Sequence, residues 1–357
     1  MKFSYLLVIL AMLVLIFGII LPFFIGTNKN PTSATTGIFK STDGGSSWAL
    51  SVRSSEIGIA LPAHILSFEF NRKNPNIIYL GTKGGSLWVS KNAGATWARV
   101  IDAKENVSKS AEVYSIATSA KDEKLIYLSV YQNNKGEVLK SVDGGITFDL
   151  VYFVPILKYG VFGAAINPEN ESRVHIATGE GGFLTSSDAG KTWKVDKWFP
   201  DGLISLIQNP ARGSELFVLT PHGELYRTED EGASWTRLTP GYASFSNAAS
   251  ITDIRLDQNN PSTIYISSEF GLLRSVDSGT TWKEVPLIIP PKGLSIQSVA
   301  VNTKNSREIY AAAGNSIYVS EDFGENWRAM PMNVTASIAA LRIKPDNPNI
   351  IFAVVGK

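Results

Sequence analysis

An eight-residue motif recurs seven times between residues 41 and 327 and restricts the fold more than any other feature of the sequence. Each copy begins with Ser or Thr, has Asp or Asn third and Gly fifth, and ends in Trp or Phe. Successive copies start 42–51 residues apart, which indicates a repeat architecture with one supersecondary unit per repeat. The copies are STDGGSSW (41–48), SKNAGATW (90–97), SVDGGITF (141–148), SSDAGKTW (186–193), TEDEGASW (228–235), SVDSGTTW (275–282) and SEDFGENW (320–327).

Four short strands are predicted in each repeat. In the last complete repeat these are IQSVAVN (296–302), EIYAAA (308–313), SIYVS (316–320) and the residues that follow Trp327. The second of these strands carries a tyrosine or a similar residue in most repeats. Four strands in a repeat of this length are typical of a propeller blade.

The two ends of the repeat region each contain half a blade. GIFKSTDGGSSWALSV (37–52) supplies only a third and a fourth strand, and SIAALRIKPDNPNIIFAVVGK (337–357) supplies only a first and a second. Pairing of these halves closes the ring and leaves no free sheet edge. We therefore predict an all-β fold, a seven-bladed β-propeller of four-stranded blades over residues 37–357.

The residues before the propeller have a different composition. From Phe3 to Ile25 the sequence is almost wholly apolar, and no charge occurs between Lys2 and Lys29. Such a helix would span roughly 35 Å, enough for a hydrocarbon core of about 30 Å. We predict a transmembrane signal anchor (1–26), a polar stalk (27–36) and a single-pass protein of the cell membrane with an extracytoplasmic propeller. The alternative is a cleaved signal peptide and a secreted propeller.

The motif itself predicts a tight turn. Its acidic or amide side chain can accept backbone N–H groups, its glycine suits a positive φ, and its final ring can pack between neighbouring blades. Because Asn can cap the same turn as Asp, a structural role is favoured over catalysis or calcium binding. The residues at this position are Asp43, Asn92, Asp143, Asp188, Asp230, Asp277 and Asp322.

The pattern S-x-D-x-G-x-x-W resembles the Asp-box, or bacterial neuraminidase repeat. Over residues 37–357 the chain resembles seven-bladed Asp-box propellers of the group that is similar to the photosystem II stability and assembly factor. It resembles sortilin-type propellers more distantly. Asp-box families include sialidases, endoglucanases, sorting receptors and assembly factors, so the resemblance implies the fold without one activity. A sialidase would need a third arginine and an F-R-I-P-like stretch, and the endoglucanase relatives use two facing propellers.

Composition argues against several classes of function. The formal net charge is +1, with no basic block for binding nucleic acid. The chain has no cysteine and only three histidines, in unrelated contexts. We predict no metal, no cofactor and no nucleic-acid partner.

Four consecutive connections between blades are rich in apolar and aromatic residues: 151–160, 196–202, 240–248 and 286–293. Such connections are expected on the face opposite the Asp-box turns. There they would form an exposed arc that binds a protein partner. The alternative is that the rings fold inward and plug the channel mouth. The candidate residues are Tyr152, Phe153, Tyr159, Trp198, Phe199, Tyr242 and Phe245.

A second candidate site lies on the innermost strands. By strand alternation, Glu69, Asp253, Arg255 and Arg342 should face the central channel. Two arginines at a channel could clamp a carboxylate, and the alternative is that these four charges pair with one another.

We identify no catalytic residues, which favours binding over catalysis. The functional prediction is a membrane-anchored, extracytoplasmic, non-catalytic platform for protein binding or complex assembly. The alternative is a glycan-active hydrolase, similar to sialidases or other glycosidases, or a carbohydrate-binding propeller.

Overall fold

The computed structural model describes residues 36–51, 64–287 and 293–356. Within these ranges 28 strands form seven four-stranded sheets, so the predicted seven-bladed propeller is confirmed. No helix in the described ranges is both long and apolar enough to cross a membrane. The predicted anchor and all but the last residue of the predicted stalk lie outside the described residues, and both stay predictions.

Six blades follow one another along the chain, and each is an antiparallel sheet of four consecutive strands. A short 3₁₀ helix, Thr239–Gly241, follows the fourth of them. Blades 1 and 2 contain β3 (Ile65–Phe70), β4 (Ile78–Thr82), β5 (Leu87–Ser90) and β6 (Ala98–Arg99), and β7 (Glu112–Thr118), β8 (Ile126–Gln132), β9 (Lys135–Ser141) and β10 (Asp149–Phe153), respectively. Blades 3 and 4 contain β11 (Val161–Ile166), β12 (Val174–Thr178), β13 (Gly182–Ser186) and β14 (Lys194–Trp198), and β15 (Ser205–Gln208), β16 (Leu216–Leu219), β17 (Leu225–Thr228) and β18 (Thr236–Arg237), respectively. Blades 5 and 6 contain β19 (Ile251–Leu256), β20 (Ile264–Ser268), β21 (Leu272–Ser275) and β22 (Lys283–Val285), and β23 (Ile296–Asn302), β24 (Asn305–Ala313), β25 (Ser316–Ser320) and β26 (Arg328–Pro331), respectively.

Blade 7 combines the two ends of the propeller. Its strands are β1 (Gly37–Ser41), β2 (Ala49–Leu50), β27 (Ile338–Ile343) and β28 (Ile351–Val355). They lie in the order β2-β1-β28-β27. β1 and β28 are antiparallel, with Gly37 opposite Val355 and Ser41 opposite Ile351. The predicted closure by terminal half-blades is therefore confirmed.

The second strands of the blades form the core. Every residue of β4, β12, β16, β20 and β28 is buried. A strand with neighbours on both faces needs no polar alternation, which explains the continuous apolar runs in the sequence.

The final rings of six motif copies pack toward a neighbouring blade. Phe148 of blade 2 shares a buried cluster with Tyr79 of blade 1, and Trp97 shares one with Phe352 of blade 7. Trp97 and Phe148 are fully buried, and four of the other motif tryptophans are half-buried. The predicted packing of rings between blades is confirmed.

Four hydrogen bonds recur in the motif turn, although in the second copy the fourth runs from Asn92 Nδ2 to Thr96 Oγ1 and in the seventh its donor is the Asn326 amide. In the third copy, Ser141 Oγ donates to Asp143 Oδ1 at 2.8 Å, and the Gly145 N–H donates to Ser141 Oγ at 2.9 Å. Thr147 donates its N–H to Asp143 Oδ1 and its hydroxyl to Oδ2, at 3.0 and 2.6 Å. The fifth-position glycine has φ between +80° and +98° throughout, as predicted. The acidic side chain closes its own turn, which supports a structural role.

Candidate functional site

The first strands of the blades enclose a cavity of about 570 Å³. Most of its lining comes from β3, β7, β11, β15 and β19, with Arg342 of β27. This volume is in the usual range for small-molecule sites. Six of the first strands contain a register shift near the start of the strand, such as that between Ile251 and Asp253. In blade 5 the extra residue of this bulge is Thr252, and Asp253 follows it in regular register with Arg255.

Asp253 is the centre of an ion network in this cavity. Its Oδ1 lies 3.0 Å from Arg255 Nη2, and its Oδ2 lies 3.8 Å from Arg342 Nη1. Ser298 Oγ donates to Oδ2 at 2.6 Å and accepts the Leu341 N–H at 3.1 Å. The structure therefore brings three of the four predicted channel residues together and links blades 5, 6 and 7.

Glu69, the fourth predicted channel residue, lies in the same cavity. Burial raises the pKa of its carboxyl group, and the positive charges of Arg72, Arg342 and Arg255 partly oppose that shift. Burial also lowers the pKa of Arg342 to about 10, with a further contribution from Arg255. Arg342 consequently stays protonated at neutral pH.

Arg72 also lines the cavity, although the sequence analysis did not single it out. Among the described residues, its guanidinium makes no hydrogen bond or ion pair, and its electrostatic neighbour is Glu69. Alignment of the blades could have identified Arg72, which stands three residues after Glu69. Gln258 and Pro345 stand three residues after Arg255 and Arg342, and they also line this central space. In the parts of the chain that the structure describes, no three His, Asp or Glu side chains are grouped as metal ligands.

On blades 2 and 3, three of the predicted rings are exposed. Phe153 is 49% exposed, Tyr159 42% and Trp198 54%. We call these three residues the aromatic rim. Phe153 ends β10 and Trp198 ends β14, so each ring stands where an outer strand finishes. A role of these rings in binding stays a prediction.

The expectation that all seven candidate rings are exposed is wrong. Phe199 is buried against Tyr226 and Trp235, with ring centroids 4.9 and 5.2 Å apart. Tyr242 is buried, and its hydroxyl donates to the Gly223 carbonyl oxygen at 2.7 Å. Each ring packs on the motif tryptophan of the following blade, Phe199 on Trp235 and Tyr242 on Trp282, so the neighbouring blade covers it.

The other two candidate rings are half-buried. Tyr152 packs edge-on against Trp193, and Phe245 packs edge-on against Phe270. In the fourth predicted loop, residues 288–292 lie outside the described residues.

The loops beside the aromatic rim are in backbone contact. The Gly179 N–H donates to the Gly160 carbonyl oxygen at 2.8 Å. A Cβ at Gly179 would lie 2.8 Å from the Phe162 ring, and one at Gly202 would lie 2.4 Å from the Gly179 carbonyl oxygen. Glycine is required for this approach, which joins the loops of blades 2, 3 and 4. The prediction that these connections share one face is consistent with this contact.

Two carboxyl groups that the sequence analysis did not single out lie in these loops. Glu180 stands between Gly179 and Gly181, and burial raises its pKa. Asp201 Oδ2 lies 2.6 Å from His222 Nδ1, and this hydrogen bond lowers the pKa of Asp201 and raises that of His222. The pKa values of the two carboxyl groups are therefore shifted in opposite directions.

Comparison with known proteins finds similarity to an Asp-box repeat and to other propellers. The BNR-Asp box repeat model matches residues 317–329. The chain is 23% identical over 268 residues to xyloglucanase Xgh74A of Acetivibrio thermocellus, a match that covers 70% of this chain and 28% of that enzyme. The chain thus spans less than a third of the length of this curated relative.

Solved propellers show the same fold. The GH74 xyloglucanase of Xanthomonas campestris superposes with a TM-score of 0.65 at 18% identity, over 82% of this chain and 51% of that one. YCF48 of Cyanidioschyzon merolae superposes with a TM-score of 0.61 at 17% identity, over 82% and 95%. Another YCF48 structure is described as bound to a D1 peptide. Propellers of this shape therefore include both peptide binders and glycan enzymes.

These findings correct the functional prediction. The interpretation of the chain as a non-catalytic platform for protein binding or assembly is wrong, because the curated relatives it matches over most of its length are xyloglucanases. The comparisons agree better with the alternative prediction, a propeller similar to glycoside hydrolases. The chain is a seven-bladed β-propeller built from Asp-box repeats.

Proposed function

We propose that the chain is a glycoside hydrolase-like propeller that binds a polysaccharide at the aromatic rim. The observation that carries this proposal is the Trp198 indole, which is 54% exposed at the end of β14. Sugar rings present flat C–H faces, and an exposed aromatic ring offers them a large apolar surface with little conformational freedom to lose.

Xyloglucan is the first ligand to test, because the curated relatives are named xyloglucanases. The chain matches only 28% of the length of one of these enzymes, so their complete activity is not assumed for it. The predicted membrane anchor supports an extracytoplasmic location, where a polysaccharide would be accessible. That location is part of the proposal.

Affinity electrophoresis of the propeller in gels that contain xyloglucan, hydroxyethyl cellulose or starch tests this proposal. We expect xyloglucan to retard the protein most, hydroxyethyl cellulose less, and starch not at all. Equal mobility in all three gels and in a polysaccharide-free gel would refute binding of a β-linked glucan.

A second candidate function is hydrolysis, because the curated relatives are xyloglucanases, and the carboxyl groups to test are Glu180 and Asp201, which lie in contacting loops beside the aromatic rim. Glycosidases use one carboxylic acid as a proton donor and one carboxylate as a base or nucleophile. Glu180, whose pKa is raised by burial, suits the first role, and Asp201, whose pKa is lowered by His222, suits the second.

Release of reducing ends from xyloglucan separates hydrolysis from binding. If the propeller hydrolyses the polymer, Glu180→Gln and Asp201→Asn should each abolish release while retardation in the gel persists. Glu325→Gln, at an exposed position in the seventh Asp-box motif, serves as the matched control. Retardation without release of reducing ends would leave binding as the function and refute hydrolysis by this propeller.

A further inference from the structure

The charges that line the central cavity are not balanced. Three arginines and two carboxyl groups face it: Arg72, Arg255, Arg342, Glu69 and Asp253. Counted as ionised, they leave an excess of one positive charge. Burial favours the neutral form of Glu69, and its protonation would increase that excess.

Some N–H donors of the cavity arginines also have no acceptor among the described residues. Asp253 accepts from Ser298 and faces Arg255 and Arg342, so its charge is already shared between two arginines. Arg255 Nε is buried and lacks a hydrogen-bond partner within the described residues. The Arg72 guanidinium has no acceptor in the described ranges and has Glu69 as its electrostatic neighbour.

A buried donor without an acceptor is costly, and a protein that keeps one beside a cavity usually satisfies it with a ligand or with water. Guanidinium groups match the geometry of carboxylate and phosphate oxygens through paired N–H donors. The cavity, at about 570 Å³, has room for a ligand of the size of a sugar acid or a sugar phosphate.

We propose that the central cavity binds a small ligand through an oxyanion, a carboxylate or a phosphate group, with Arg72 and Arg255 as the donors. Arg342 supplies additional positive charge from β27. The alternative weighed from the sequence, internal neutralisation, accounts for Asp253 and its two arginines but leaves the Arg72 guanidinium without a hydrogen bond or close ion pair among the described residues, with Glu69 as its electrostatic neighbour. This site is separate from the aromatic rim and does not depend on glycan binding there.

Isothermal titration calorimetry with four probes tests the proposal: glucuronate, glucose 6-phosphate, inorganic phosphate and glucose. We expect binding of at least one anionic probe, weaker binding at higher ionic strength, and no binding of glucose. A preference for glucuronate assigns a carboxylate, and a preference for either phosphate assigns a phosphate group.

Arg72→Gln is the decisive variant, because its side chain makes no ion pair with a described residue and its removal should not unfold the propeller. The loss of one charged hydrogen bond should weaken anion binding about tenfold or more. Arg328→Gln, which removes an equal charge from a guanidinium 3.5 Å from Glu321 and outside the cavity lining, should bind like the wild type. Thermal unfolding of both variants confirms that they are folded.

Three results would overturn the proposal: no heat of binding with any of the anions, binding of glucose equal to that of the anions, or unchanged affinity in folded Arg72→Gln. None of these results bears on retardation by xyloglucan, so failure of this site and failure of the proposed function are distinguishable.

Discussion

The Ser298 hydroxyl donates a 2.6 Å hydrogen bond to the Asp253 carboxylate and so joins the inner strands of blades 5 and 6. The same hydroxyl accepts the Leu341 N–H of blade 7. Ser298 is buried, and one oxygen atom therefore connects three successive blades around the cavity.

Replacement of Ser298 by Ala should destabilise the propeller by about 1–3 kcal/mol, because it removes a donor to a charged group and leaves the Leu341 N–H without its acceptor. Urea denaturation measures the change in the free energy of unfolding. Ser187→Ala, at an exposed position, should change it by less than about 0.5 kcal/mol. Equal effects of the two substitutions would contradict the connecting role of Ser298.

Trp198 and Phe199 are adjacent but should respond differently to substitution. Phe199→Ala removes a buried ring packed on Trp235 and should cost about 3–5 kcal/mol of stability. Trp198→Ala removes a ring that is more than half exposed and should cost far less. Thermal or urea unfolding of the two variants provides the comparison, and a larger loss for Trp198→Ala would show that the ring positions are exchanged.

The Asp-box turns should make stability depend on pH in the acid range. The hydrogen bonds from Thr192 lower the pKa of Asp188 from 3.8 to about 2. A lowered folded-state pKa stabilises the fold above pH 3.8, and this contribution is lost as the pH falls toward about 2. Asp43, Asp230 and Asp322 have pKa values lowered to about 2 in the same way.

Unfolding measured between pH 5 and pH 2 therefore should show falling stability, and Asp188→Asn should reduce the slope. The Asn92 turn is the natural precedent, since its amide makes the corresponding hydrogen bonds. An identical slope for the variant and the wild type would exclude Asp188 as a source of the pH dependence.

Closure of the ring depends on β28, which pairs with β1 on one side and with β27 on the other. Ala353 lies at its centre, opposite Phe39 and Leu341. Ala353→Pro removes an N–H from this central strand and should destabilise the propeller by about 3 kcal/mol or more. Stability within about 0.5 kcal/mol of the wild type in urea would mean that the terminal half-blades do not depend on this pairing.

The fold was predictable from the sequence because the motif fixes one turn per blade and the two incomplete repeats fix the closure. The channel residues were predictable as far as strand alternation holds. Asp253 and Arg255 lie on the same side of β19 and form an ion pair, as the two-residue spacing requires. Arg72 was missed because it lies beyond the end of β3, where alternation no longer applies.

Exposure of individual rings could not be predicted in the same way. Trp198 ends a paired strand opposite Gly182, and the next residue, Phe199, turns toward the Trp235 cluster. Composition marks the whole segment as aromatic but does not show which ring the neighbouring blade covers. Glu180 and Asp201 were missed because their pKa shifts arise from tertiary contacts that no local motif records.

Binding of xyloglucan oligosaccharides to wild-type protein and to Trp198→Ala, measured by isothermal titration calorimetry, is the most direct test of the proposed function. Phe323→Ala, which removes an exposed ring within the seventh Asp-box motif, is the control. We expect the wild type and Phe323→Ala to bind with equal affinity and Trp198→Ala to bind at least about tenfold more weakly. No binding by the wild type, or full affinity in Trp198→Ala, would contradict glycan recognition at the aromatic rim.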